Sequence, residues 1–201
     1  MAQAVPLIYS SGESAFRYVF SSRSALQVLG FLNAAFKRGR TEWGYQQHIG
    51  LFIEGELAGI GALKTSNQTL GFTVQAAVEI FRFYGFWQGI LVVWRGLRTE
   101  TVIRPPKKEL ALLYHLAMKL EYRGRGYGRQ LIGELIWRAR QQGFTRLGLD
   151  VAENNPRARA LYEGLGFRSI EFRSGGLRSA YGEVVGHSYM ELDLTAAPNR
   201  A

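Results

Sequence analysis

Apolar residues along this chain alternate between two periods, and the changes of period divide it into helices and strands. Val28, Leu29, Leu32, Ala35 and Phe36 recur at helical spacing, with Ser24 placed to cap the start and Gly39 to end it. Residues 46–53 and 57–63 read as a hairpin around Glu54-Gly55-Glu56, with Ile49, Leu51 and Ile53 alternating onto one face. Residues 109–120 predict a strand. Residues 128–142 predict a helix with the stripe Leu131, Ile132, Leu135, Ile136 and Ala139, stopped by Gly143. Residues 146–151 predict another strand, with Leu147, Leu149 and Val151 on one face. Asn155 is placed to cap a further helix that has Pro156 at its first position and Gly166 at its end. Residues 189–194 close the pattern as a strand. Strand, helix, strand, helix, strand is an α/β (α+β) layer arrangement.

Residues 71–97 interrupt that pattern with Phe72, Phe81, Phe83, Tyr84, Phe86, Trp87 and Trp94, punctuated by Gly85, Gly89 and Gly96. From residue 74 to residue 93 the segment has the length of a membrane span. Glu79 and Arg82 oppose that reading, because each costs about 2.5–3.5 kcal/mol at the bilayer centre. The favoured reading is an insertion over about residues 68–106, a pair of short helices packing over the sheet and closed by Pro105-Pro106. An interfacial helix with Arg82, Arg95 and Arg98 at its polar edge is the second reading. Stable membrane insertion is not expected.

Composition narrows the chemistry. With 201 residues, 47% hydrophobic and 20% charged, residues 1–201 predict a single domain able to bury a substantial core. Cysteine is absent, and His48, His115 and His187 are too far apart in sequence for a zinc pattern, so no catalytic metal is expected. The net charge of +9, from 25 basic and 16 acidic residues, fits a soluble protein with a basic face, or one that binds a polyanion. The densest basic cluster, Lys37-Arg38-Gly39-Arg40, is too short for a nucleic-acid tail, so no nucleic-acid partner is expected. Residues 1–9 lack a charged and apolar leader, which predicts a cytoplasmic location.

The turn Arg123-Gly124-Arg125-Gly126-Tyr127-Gly128 lies between a predicted strand and a predicted helix. The first amides of a helix have no intrahelical partner, and with the positive end of the dipole they suit a phosphate or pyrophosphate. Glycines let the backbone curl close to such a group, and Arg123, Arg125 and Arg129 add charge at the rim. A Walker loop would end in Gly-Lys-Ser/Thr, and a dinucleotide fingerprint would read G-x-G-x-x-G; neither is present. Alone, the turn is equally a tight strand–helix connection.

Leu116-Ala117-Met118, followed by Glu121-Tyr122 and that turn, resembles the Arg/Gln-x-x-Gly-x-Gly/Ala motif of the GNAT superfamily of N-acetyltransferases. Asn154-Asn155-Pro156, Ala158, Leu161-Tyr162 and Leu165-Gly166-Phe167 resemble the block that follows it in the same superfamily. The resemblance is strong over residues 110–170 and weaker over residues 24–63. It implies a mixed, mostly antiparallel sheet flanked by helices, with acyl-CoA held where two central strands splay apart. It also implies that Leu116, Ala117 and Met118 bond the pantetheine arm and that Arg123, Gly124, Arg125, Gly126, Tyr127, Gly128 and Arg129 wrap the pyrophosphate. Asn155 would bond the pantetheine, and an amide near Leu116 would face the thioester oxygen.

The activity so implied is acetyl-CoA-dependent transfer of an acetyl group to a primary amine, by direct attack on the thioester. Tyr162 would protonate the leaving sulfur, since a thiol has a pKa near 8.5 and a phenol one near 10. The base is open: positions used by relatives hold Leu112 and Tyr114, which leaves Asp150, His115, Glu109, His187 or water alone. Alternation predicts that His115 points away from the face of Leu112 and Tyr114. The acceptor would be a small hydrophobic amine or a peptide or protein N-terminus under an aromatic roof, and homodimerisation is left open. The competing classes are a non-catalytic acyl-CoA-binding module and a basic surface-binding protein that works through the aromatic insertion.

Overall fold

The computed structural model describes residues 3–21, 24 and 26–195. Three helices come first: α1 (Ala4–Ser10), α2 (Glu13–Phe20) and α3 (Leu26–Arg38). The end of α3 is fixed by Gly39, whose φ of 74° closes the last turn with its amide on Ala35 and Phe36 carbonyls. Strands β1 (His48–Ile53) and β2 (Glu56–Thr65) form the hairpin, and positive φ at both Glu54 and Gly55 gives its turn the twist that paired strands need.

Helix α4 (Ser66–Thr99) follows at once, and then β3 (Leu110–Met118), α5 (Tyr127–Gln141), β4 (Arg146–Ala152) and α6 (Pro156–Glu163). In α6 the Asn155 Oδ1 accepts from the Ala158 amide at 3.1 Å. That helix ends at Glu163, three residues before the expected stop, and Gly166 (φ 93°) instead turns the chain into β5 (Arg168–Arg173). The small strands β6 (Leu177–Arg178) and β7 (Glu183–Val184) pair with each other before β8 (His187–Asp193).

The main sheet has the order β1-β2-β3-β4-β8-β5. Every pairing in it is antiparallel except β3 with β4, which α5 joins as a crossover. Two apolar clusters hold it. One gathers Leu131, Leu135, Leu147, Leu149 and Met190 under α5 and α6. The other gathers Phe20, Phe31, Leu32, Trp43, Ile80 and Val92 from the first four helices and the loop before β1. Truncating a fully buried leucine such as Leu135 to alanine costs about 2–5 kcal/mol.

The insertion is one helical run broken only at Gly85, where φ 73° and ψ 179° change the direction of the chain. Its inner side is tied to the fold by polar contacts. Glu79 pairs with Arg38, Tyr84 donates to the Phe20 carbonyl at 2.7 Å, and Arg95 donates to the Ser21 carbonyl at 2.8 Å.

Candidate active site

Strand β3 pairs with β4 only from Leu110 to Leu113, opposite Arg146 to Leu149. Beyond that point β3 stays with β2 as far as Met118, and β4 stays with β8 as far as Ala152. The two central strands part, and the facing backbone edges have no ladder partner among the described residues.

The cause lies within β3. Tyr114 pairs with Ala62 and Ala117 with Ile60, so His115 and Leu116 share the place opposite one residue, and His115 adopts φ 52°. This is a bulge, and it bends its strand away from a neighbour. It also corrects the expectation from alternation: the extra residue carries the His115 ring to the side of Tyr114, which it meets at 4.6 Å, and towards Phe16 of α2 at 5.5 Å.

Past Met118 the chain enters α5 through two left-handed glycines, Gly124 (φ 77°) and Gly126 (φ 83°). Gly126 occupies the cap position with no side chain to fold over the helix start. The first intrahelical bond runs from the Gln130 amide to the Gly126 carbonyl, so the amides of Tyr127, Gly128 and Arg129 are left facing outward. A Cβ added at Gly126 would meet nothing within 4 Å, so no neighbouring group packs against the turn at that point.

Arginines surround the opening. Arg123 Nε donates to the Met118 carbonyl at 2.9 Å, and Arg129 Nη1 donates to the Gly164 carbonyl at 3.1 Å. Arg125 is exposed beside them. Arg157, in the first turn of α6, reaches within 3.3 Å of where a Gly124 Cβ would be. Sequence reasoning missed Arg157, which belongs to neither motif; its place two residues after the Asn155 cap was the available signal. Unpaired amides, a helix dipole and converging arginines fit a pyrophosphate.

Of the remaining cofactor candidates, three lie along the wedge. Leu116, Ala117 and Met118 are half-buried on the freed stretch of β3, and the Met118 carbonyl is already taken by Arg123. Asn155 spends its Oδ1 on capping α6, which leaves its amide NH2 for a ligand. Tyr162 is buried with its ring edge-on to Phe167 at 6.0 Å, and burial pushes its phenol up to about 12.

A cavity of about 370 Å³ opens between the parting strands and helices α2 and α4. Its walls are apolar, formed by residues such as Phe16, Val19, Phe72, Ile80 and Val93. Its polar lining includes Asp150, His115 and His187, together with Tyr114, Glu42 and Lys64. Glu109 is exposed in the turn before β3 and does not line the cavity.

Two histidines are locked together. His48 Nδ1 is 2.8 Å from the Gly44 carbonyl and must carry the proton there, so its Nε2 accepts from His115 Nδ1 at 3.0 Å. The rings are parallel to within 3°. His115 Nε2 is left as the basic nitrogen. Burial holds both imidazoles below their ordinary pKa, with His48 and Lys64 adding to the effect on His115, so both rings are neutral at neutral pH. His187 is likewise lowered by burial, and its Nδ1 donates to the Val185 carbonyl at 2.9 Å.

Asp150 stands on β4 one residue beyond the last pair with β3. Its Oδ1 meets Arg173 Nη1 at 2.9 Å, both side chains being under a tenth exposed. Arg173 also bonds the Val102 carbonyl and Glu171, and its guanidinium lies over the Tyr189 ring at 4.7 Å. Burial pushes the Asp150 carboxyl up to about 7, and Arg173 opposes the rise without cancelling it. Among the described residues no three His, Asp or Glu side chains converge as a metal site.

Known proteins share this fold. An N-acetyltransferase from Staphylococcus aureus Mu50 has a crystal structure that superposes with a TM-score of 0.67 at 16% identity, covering 94% of this chain and 92% of that one. A [ribosomal protein bS18]-alanine N-acetyltransferase of Haemophilus influenzae is 38% identical over 77 residues, 35% of this chain and 52% of the relative. An uncharacterised N-acetyltransferase of Bacillus subtilis is 35% identical over 81 residues, 40% of this chain and 50% of the relative. The chain thus spans about half the length of the curated relatives it matches. The sequence pattern of the Acetyltransferase (GNAT) family matches residues 27–167, which include both central strands, the glycine turn and α6. The chain belongs to the GNAT acetyltransferase family.

Proposed function

We propose that this protein transfers an acetyl group from acetyl-coenzyme A to a primary amine, and that it works in the cytoplasm. The observation that carries the reading is the parting of β3 from β4 beside the uncapped start of α5. Acetyl-coenzyme A would supply an activated thioester. The amides of Tyr127, Gly128 and Arg129, with Arg123, Arg125 and Arg157, would hold its phosphates. The freed backbone of Leu116 and Ala117, and the Asn155 amide, would line its pantetheine arm.

The acceptor amine enters the apolar cavity, where it must lose a proton before it can attack. Asp150 is the proton acceptor we favour. Its pKa of about 7 is matched to neutral pH, and the Arg173 contact fixes its orientation. His115, on the other strand, is the second group able to accept a proton, through Nε2. Tyr162 stays protonated at any working pH. Its phenol is a weaker acid than a free thiol near 8.5, so it hydrogen-bonds the leaving sulfur and yields its proton only where burial raises the sulfur as well.

An apolar cavity of this size favours an uncharged, compact acceptor such as a small hydrophobic amine or a peptide N-terminus. The bS18-alanine acetylases among the relatives support the peptide reading. The test has two steps. Calorimetry should show acetyl-coenzyme A binding to the wild-type chain, and loss of that binding in Gly128→Glu. Thiol release should then rise with hydrophobic amines or alanine-first peptides and stay at background with spermidine. Equal coenzyme A binding by wild type and Gly128→Glu would overturn the site. Binding without thiol release across the panel would favour a non-catalytic acyl-CoA-binding module.

A further inference from the structure

A helix packed on a soluble fold normally shows polar residues outward, and α4 does the reverse. In its first segment Leu70, Val74 and Val78 recur every fourth residue and are 76%, 54% and 49% exposed. Beyond the Gly85 break, Phe86, Trp87, Leu91 and Trp94 are 64%, 79%, 50% and 51% exposed. Only 28% of the most apolar window of this helix is buried within the fold. Exposed apolar residues grouped on one face of a helix in this way mark an interaction surface.

Charge indicates the partner. No carboxylate interrupts the outward face: Glu79, the acidic residue of α4, is 4% exposed and turned inward onto Arg38. Arg82 and Arg98 flank the apolar stripe, and the Arg98 guanidinium lies over the Trp94 ring at 4.9 Å. Two tryptophans, a neighbouring phenylalanine and arginines at the edge are the residues that settle at the boundary between lipid tails and headgroups. Self-pairing through this face would bring together two chains that each carry +9 and place their edge arginines against one another.

The helix is also held against leaving the fold to span a bilayer. The Tyr84 hydroxyl bonds the Phe20 carbonyl, Arg95 bonds the Ser21 carbonyl, and Glu79 is paired within the protein. We propose that the outward face of α4, led by Phe86, Trp87, Leu91 and Trp94, docks the protein onto an anionic lipid surface, lying in the interface without crossing it.

Vesicle co-sedimentation of the full chain tests this. The probes are vesicles of phosphatidylcholine alone and vesicles with about one third phosphatidylserine. We expect association with the anionic vesicles at low salt, at least tenfold weaker with neutral ones, and a blue shift of tryptophan emission on binding. Arg98→Glu should weaken association about fivefold for each unit of charge changed. The triple variant Trp87→Ser, Leu91→Ser, Trp94→Ser should abolish it while keeping the wild-type melting temperature and coenzyme A affinity. Those two readouts separate lost docking from lost folding, and they are independent of the proposed acetyl transfer. Should the triple variant unfold, Arg98→Glu together with the two lipid compositions still decides the matter. Lack of association with either vesicle at low salt overturns the proposal. So does equal association with both vesicle types. A dimer in sedimentation velocity that the triple substitution dissociates, with no lipid binding by the wild type, assigns the face to a second copy instead.

Discussion

Changing Gly126 and Gly133 to alanine, one at a time, makes the same chemical change seven residues apart, and the structure predicts opposite consequences. Gly133 is exposed within α5, and a Cβ there meets nothing within 4 Å, so alanine should stabilise the helix by about 1 kcal/mol. That corresponds to a rise of about 2–4 °C in Tm for a chain of this length. Gly126 also has open space around its missing Cβ, but its φ is 83°. A left-handed conformation costs an L residue about 1–2 kcal/mol. The stiffer unfolded chain returns about 0.4–1 kcal/mol, so the net loss is about 1 kcal/mol and a similar fall in Tm. Binding should separate the two further. Relaxing that strain turns the amides of Tyr127, Gly128 and Arg129 away from a common target, and each charge-assisted hydrogen bond lost is worth about 1.5–3 kcal/mol. Coenzyme A affinity should therefore fall about ten- to a hundredfold in Gly126→Ala and stay unchanged in Gly133→Ala. Differential scanning calorimetry gives the first quantity and titration calorimetry the second. A Gly126→Ala variant that melts lower yet binds coenzyme A as the wild type does would refute the cradle, because the strain would then be purely structural.

Three further outcomes follow from the site. Tyr162→Phe should lower kcat tenfold or more while leaving coenzyme A Kd within twofold, measured with the best acceptor; unchanged kcat removes Tyr162 from proton delivery. Asp150 carries a pH signature: burial raises its folded pKa from about 3.9 to about 7, so between those values the folded state holds a proton that the unfolded chain has released. Stability from this group is therefore lost as pH rises through that window, whereas the buried histidines, held below 6.5, gain stability as pH rises. Taking wild type minus Asp150→Asn isolates the carboxylate: the Tm difference should fall from pH 4 to pH 7 and level off above it, and a flat difference sinks the assignment. Finally, His48→Ala should free the His115 ring from its fixed tautomer, and the ring's proton NMR signals should show both tautomers in exchange where the wild type shows one.

What the sequence made legible, and what it hid, divides along a physical line. Local chemistry was readable: Asn155 before Pro156, Gly39 after a helical stripe, and Glu54-Gly55 between alternating runs each carry their own backbone instruction. The glycine turn was readable for the same reason, since left-handed backbone at Gly124 and Gly126 is written in the residue type. Strand β5 was hidden because its alternation rests on two apolar residues alone, Ile170 and Phe172, and both face outward, so its pairing with β8 is a tertiary fact. Helices α1 and α2 are short, and their apolar residues mean little until Tyr9 of α1 meets Phe16 of α2, and Phe20 meets Phe31 and Trp43 across the fold. The bulge at His115 was the most consequential omission. Nothing in Tyr114-His115-Leu116 announces an extra residue; it arises because β3 must satisfy β2 on one edge while releasing β4 on the other. One inserted residue opens the wedge between β3 and β4 and, in the same stroke, carries His115 to the cavity that Asp150 also lines. The proposed donor and acceptor sites therefore share a single structural cause, and a substitution that restored regular pairing at that point would close both together.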